Sequence, residues 1–75
     1  MRTTIIDQNA TGENIRRAIC NSNYDVAGVS KLLGISVQSV YKWQRGETLP
    51  SLENLYALAG IAHTEPDKLV VLERA

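Results

Sequence analysis

Few side chains in this 75-residue sequence could do covalent chemistry. Cys20 is its single cysteine and His63 its single histidine. A nucleophilic cysteine needs a general base and an orienting third group within hydrogen-bond reach. Nothing in the sequence supplies them, so Cys20 reads as a small buried hydrophobe. A metal site needs several ligands at a recurring spacing, and His63 has no such companions. No metal and no cofactor is expected. Glu65 and Asp67 flank Pro66 at a helix start, where acids meet the positive end of the helix dipole, so they are not read as an acid–base pair. No phosphate-cradling glycine loop is present. What remains is a set of hydrogen-bonding and cationic groups, Lys31, Gln38, Tyr41 and Lys42, gathered between Asp25 and Gly46. That points away from an enzyme and toward recognition through polar contacts.

The chain that must position these groups is short. It is long enough for one compact domain, residues 1–75, with no spare volume for a deep catalytic pocket. A lone cysteine excludes an internal disulfide framework and fits a reducing, cytoplasmic setting. No apolar run approaches the ~20 residues that span a bilayer, and the first residues lack the pattern of a signal peptide. Eight Lys and Arg balance eight Asp and Glu, which argues against a nucleic-acid partner. The distribution partly answers this. Arg16, Arg17, Lys31, Lys42 and Arg45 face only Glu13, Asp25 and Glu47 between Gly12 and Thr48, while acids predominate after Leu49.

Turn and capping residues divide the chain into helices. Thr11 is a candidate cap for a helix beginning at Gly12, with Ile15, Ala18 and Ile19 on one face, and residues 1–11 precede it as an N-terminal arm. Asn21-Ser22-Asn23 ends that helix. Asp25 caps a second helix, Val26 to Leu33, and Gly34 supplies the left-handed residue after it. Ser36 caps a third, ending near Gln44 or Arg45, and Gly46 stops it. Ser51 caps a fourth, Leu52 to Ala59, whose Leu52, Leu55, Tyr56, Leu58 and Ala59 form a wide apolar face before Gly60. Thr64 is the candidate cap of a short fifth helix. Thr3-Thr4-Ile5-Ile6 is strand-like, and Leu69-Val70-Val71-Leu72 is as compatible with a strand as with a helix. The N-terminal segment either pairs with Val70–Leu72, within one chain or across a dimer, or is a frayed end.

The second and third helices form the informative pair. Leu33-Gly34-Ile35-Ser36 is a tight turn containing glycine, which joins two helices at a steep angle. Ser30 is small where the helices would approach most closely. Val29, Leu33, Ile35, Val40 and Trp43 are apolar at inward positions. Leu33 to Glu47, followed by Pro50-Ser51-Leu52-Glu53-Asn54-Leu55, resembles the Cro/repressor-type (XRE-like) helix-turn-helix family, the most specific part being Trp-x-x-Gly…Pro-Ser-Leu-x-x-Leu. The resemblance covers roughly Gly12 to Leu69. It implies an all-α, compact five-helix repressor-type domain with short strand-like ends.

The resemblance also implies a function. The third helix would enter the major groove of double-stranded DNA, with Ser36, Val37, Gln38 and Lys42 at base-reading positions. Gln38 suits adenine, Lys42 suits guanine O6/N7, and Val37 can pack on a thymine methyl. Lys31, Tyr41, Arg45 and Thr48 are candidates for phosphate contact, as are the backbone N–H groups at the start of the second helix. The implied activity is sequence-specific transcriptional regulation, as a repressor of phage or bacterial type acting as a homodimer. Tyr56, Ile61, Leu69, Val71 and the strand-like ends are candidates for self-association. The alternative is a helix-turn-helix protein-interaction module, an antitoxin or adaptor. Three positions depart from the family pattern. Val26 stands where a phosphate-binding glutamine is frequent, and Ala27-Gly28 replaces a polar pair. Ile19 and Gln44 replace an arginine–glutamate pair, a joint change that leaves no buried charge unpaired.

Overall fold

The computed structural model describes residues 4–74. Strand β1 is Thr4–Ile6; the helices are α1 (Gln8–Cys20), α2 (Val26–Leu33), α3 (Val37–Gln44), α4 (Leu52–Ile61) and α5 (Pro66–Leu69); strand β2 is Leu72–Arg74. Helices α2, α3 and α4 begin where local chemistry says they should. Asp25 accepts from the Gly28 N–H, Ser36 from the Ser39 N–H and Ser51 from the Asn54 N–H, each satisfying a donor that has no partner inside the helix. Gly34 ends α2 at φ 69, a left-handed conformation that a side chain would oppose.

Three boundaries differ from the sequence expectation. The first helix begins at Gln8 with Asp7 as its cap, not at Gly12 with Thr11. Residues 8–11 are therefore helix, not arm. Thr11 lies inside α1, fully buried, and its hydroxyl accepts from the Val71 N–H at 2.9 Å. Gly60 does not stop α4, which runs on to Ile61. Glu65, not Thr64, occupies the cap position of α5, and its side chain makes no capping bond.

Ile15, Ile19, Val29, Val40, Trp43, Leu58, Ala59 and Leu69 form the core, with Leu33, Ile35 and Val26 packed against it. Helix α1 is the spine, touching α3, α4 and α5. Its contact with α3 depends on Gly12, where an added Cβ would lie 2.8 Å from the Gln44 carbonyl oxygen and nearer still to that of Trp43. The wide apolar face expected of α4 is only partly used: Leu52 is 72% and Tyr56 61% exposed. Leu32 is likewise exposed, and Cys20, expected to be buried, lies on the surface. A domain of this size does not have enough partner surface to cover every apolar residue.

The strand-like ends do pair, within the one chain. β1 and β2 form a two-stranded antiparallel sheet, with Thr4 opposite Arg74, Ile5 opposite Glu73 and Ile6 opposite Leu72. The C-terminal strand lies two residues beyond the expected Val70–Leu72, and Thr3 lies outside the described residues. The Asp7 N–H donates to the Val71 carbonyl, and Asn14 Nδ2 to that of Leu69. Helix α1 thus holds the segment that leads into β2.

Candidate nucleic-acid interface

Helix α3 is amphipathic in the sense the site requires. Val40 and Trp43 are buried beneath it, at 0% and 5% exposure. Its other face carries Val37, Gln38, Tyr41, Lys42 and Arg45, all exposed. These lie one and four residues apart, so they share one side of the helix. Val37, Gln38, Tyr41 and Arg45 line a single surface depression. A base-sized group there would meet an amide, a phenol, a guanidinium and a methyl surface. Lys42 stands one turn beyond Gln38 on the same side. The burial of Val40 and Trp43 fixes how α3 is rotated, and hence which of its side chains face out.

The remaining candidates are placed as follows. Ser36 is exposed at the α3 cap, where its hydroxyl accepts from the Ser39 N–H and lies 3.0 Å from the Ser39 hydroxyl. Lys31 is exposed in the last turn of α2, and Thr48 in the loop after α3. The depression on α3 is lined by neither. The N-terminus of α2 is already served by an anion of its own: the Asp25 carboxylate accepts from Gly28 N–H at 2.7 Å. Val26 packs against the core, which accounts for an apolar residue there. Ile19 is buried and Gln44 half-buried, and both line the same notch beside Val26. Among the described residues no buried side-chain nitrogen or oxygen lacks a hydrogen-bond partner, so the neutral pair leaves no polar debt.

One contributor escaped the sequence reading. Glu47 is ion-paired with Arg45. That hydrogen bond is the first reason its carboxyl titrates below the ordinary 4.5, with Arg45 and Lys42 adding a favourable field. Its backbone N–H donates to the Lys42 carbonyl. A carboxylate is thus held at the C-terminal end of the basic face of α3. An acid two residues beyond a candidate phosphate-binding arginine was the available signal. Arg16 and Arg17 are engaged in the same way by Glu13 on α1. With both ends of Leu69 to Val71 tied to α1 and Leu69 itself buried, Leu69 is not a surface for self-association.

Residues 15–69 match the family model described as helix-turn-helix. Repressor protein C2 of Salmonella phage P22 is 36% identical over 59 residues, covering 79% of this chain and 27% of that protein. The HTH-type transcriptional regulator DicA of Escherichia coli (strain K12) is 36% identical over 55 residues, 73% of this chain and 41% of that one. The chain therefore spans less than half the length of either relative. Among solved structures, the restriction-modification controller protein C.AhdI of Aeromonas hydrophila superposes with a TM-score of 0.73 at 25% identity, covering 84% of this chain and 96% of that one. The DNA-binding domain of the P22 C2 repressor gives 0.72 at 33% identity, covering 84% and 83%.

Proposed function

The chain belongs to the helix-turn-helix family, and from that premise we propose that it is a sequence-specific double-stranded DNA-binding transcriptional regulator of repressor type. The observation that carries this reading is the outward face of α3, a row of polar and methyl-bearing groups on a helix whose rotation is locked by buried Val40 and Trp43. In this reading α3 lies in the major groove. Gln38 takes adenine through its amide, Lys42 takes guanine, Val37 packs on a thymine methyl, and Ser36 sits at the groove edge. Lys31, Tyr41, Arg45 and Thr48 hold phosphates and set the register. One such helix reads few base pairs, so two copies act together on half-sites about one helical turn apart. Repression follows from occupying an operator. The chain works as one domain in the cytoplasm, without cofactor.

Two observations favour a second reading, a helix-turn-helix that binds a protein partner. Arg45 is paired with Glu47, and the α2 N-terminus is capped by a carboxylate. Both lower the attraction for phosphate. Selection of duplexes from a random pool, followed by salt titration, separates the readings. A DNA binder loses affinity steeply with salt, the slope counting phosphate contacts; no binding to any duplex at low salt would leave the second reading. Within the first, Gln38→Ala should relax preference at one base position, by ~1–3 kcal/mol of discrimination. Arg45→Ala should weaken all sequences alike. Equal, sequence-independent losses from both would remove α3 from the groove as placed.

A further inference from the structure

A two-stranded ribbon is marginally stable in water unless it is extended or packed against other structure. Here the ribbon is open on both faces: Ile5 is 44%, Ile6 40% and Leu72 59% exposed. Its strands are not equivalent. Strand β2 carries the exposed Glu73, the kind of charge that guards a sheet edge against further pairing. Strand β1, Thr-Ile-Ile, carries none. The Asp7 N–H points toward the β2 side of the ribbon, where it meets the carbonyl of Val71, the residue that leads into β2. Alternation along the strand then turns the Ile5 backbone groups toward β2 and those of Thr4 and Ile6 outward.

We propose that the free edge of β1 pairs with β1 of a second copy of this chain, antiparallel about a two-fold axis at Ile5, to give a four-stranded sheet. The inference rests on the reading that two copies act together on DNA. The register follows from the geometry. An axis at Ile5 sets Ile5 opposite its own copy as a non-hydrogen-bonded pair, where side chains lie closest. Thr4 and Ile6 then exchange backbone hydrogen bonds on either side of the axis. The charge pattern favours this occupant. A symmetric β1 pair opposes no charges, whereas a symmetric β2 pair centred on Glu73 would set two carboxylates against each other. The size of the contact fixes its strength. Three residues per strand bury well under the ~800 Å² per partner of a standard stable interface. The free chain is therefore monomeric at low concentration. The edge closes when two copies are held side by side on one duplex, where effective concentrations reach the millimolar range.

Cross-linking of the full chain tests the edge with and without DNA. In a Cys20→Ser background, Ile5→Cys and Glu73→Cys are oxidised with copper–phenanthroline at high protein concentration. Trp43 emission checks that each variant is folded. Ile5→Cys should link into a dimer about tenfold faster than Glu73→Cys, because only the former brings its sulfurs within disulfide reach. Adding Ile6→Pro, which removes an outward N–H and leaves the ladder to β2 intact, should abolish the linking. Equal rates for the two cysteines, or linking unaffected by Ile6→Pro, would overturn the proposal. A selected duplex with two half-sites should speed the Ile5→Cys reaction further. Linking in free protein that no duplex accelerates would support the edge and count against the DNA reading, so the two fail separately.

Discussion

Replacing Gly12 with alanine tests the packing on which α3 depends. By helix propensity alone the change should stabilise, since glycine inside a helix costs ~0.5–1 kcal/mol relative to alanine. The structure reverses the sign. The new Cβ would stand 2.8 Å from the Gln44 carbonyl oxygen and closer to that of Trp43, against an ordinary C···O approach of ~3.3–3.6 Å. Both neighbours are backbone, so neither can rotate away. Helices α1 and α3 must part by roughly 0.5–1 Å, and a gap of that size forfeits a quarter to a half of each dispersion contact across it. Ile15 and Ile19 of α1 and Val40 and Trp43 of α3 belong to the buried core that such a gap would loosen. Overpacking of this kind costs ~1–3 kcal/mol; taking its upper end and subtracting the propensity gain leaves about 2 kcal/mol. In a domain this small that lowers Tm by roughly 8–16 °C. Gly60→Ala is the matched control. Gly60 is also helical, but its Cβ would meet nothing within 4 Å, so propensity acts unopposed and Tm should rise by a few degrees, ~0.5–1 kcal/mol. Trp43 is the single tryptophan and is buried at the α1–α3 contact, so its emission during urea or thermal unfolding reads the relevant interface. Equal stabilisation by both substitutions would refute the argument from close approach.

Three other substitutions probe separate features. Thr11→Val preserves shape but takes the acceptor from the Val71 N–H; a loss of roughly 1–3 kcal/mol is expected, with faster amide exchange at Val71 and through β2. Glu47→Gln frees Arg45 for phosphate and should tighten DNA binding at low salt. If one phosphate contact is gained, the salt slope steepens by ~0.9 and the advantage shrinks about 3.5-fold between ~50 and ~200 mM salt; a parallel slope would mean that Arg45 touches no phosphate. Glu13 titrates below 4.5, first because Arg16 donates to it. A depressed carboxyl stabilises above its unfolded value and loses that contribution as pH falls through the folded one. The small Tm advantage of the native chain over Glu13→Gln at neutral pH should therefore vanish as pH drops below about 4.5, and an advantage that grows in acid would contradict the pairing.

Local signals were sufficient for the helix-turn-helix. Asp25, Gly34 and Ser36 act on their own neighbours within three residues, so a sequence reading finds them. Thr11 shows where such reading fails. Its hydroxyl would serve as well for a cap, but the chain uses it for a backbone group 60 residues away, and Asp7 takes the cap instead. No window of sequence contains both partners. Gly12 misled for a related reason: read locally it begins a helix, whereas in space it is the point at which α1 comes against α3. Cys20, read as buried, is exposed and the apolar face of α4 is only partly covered, because periodicity indicates a face and not how much partner surface exists to cover it. On the site itself, the alternation of α3 was legible; Glu47 stood two residues from Arg45, but that the two pair is decided by side-chain rotamers that periodicity does not specify.

The tie between the two ends of the chain also orders the events of folding. The α2–α3 pair joins helices adjacent in sequence, which search little conformational space before they meet. The β1–β2 ladder, the Thr11–Val71 bond and the Asn14–Leu69 bond each close nearly the whole chain into a loop, and such closure must be paid in entropy before its few bonds reward it. They belong to the late side of the folding barrier. Changes to them should accelerate unfolding while leaving the folding rate nearly untouched. In the native state the β1–β2 ladder should therefore be the first element to open in amide exchange, while the α2–α3 unit stays protected.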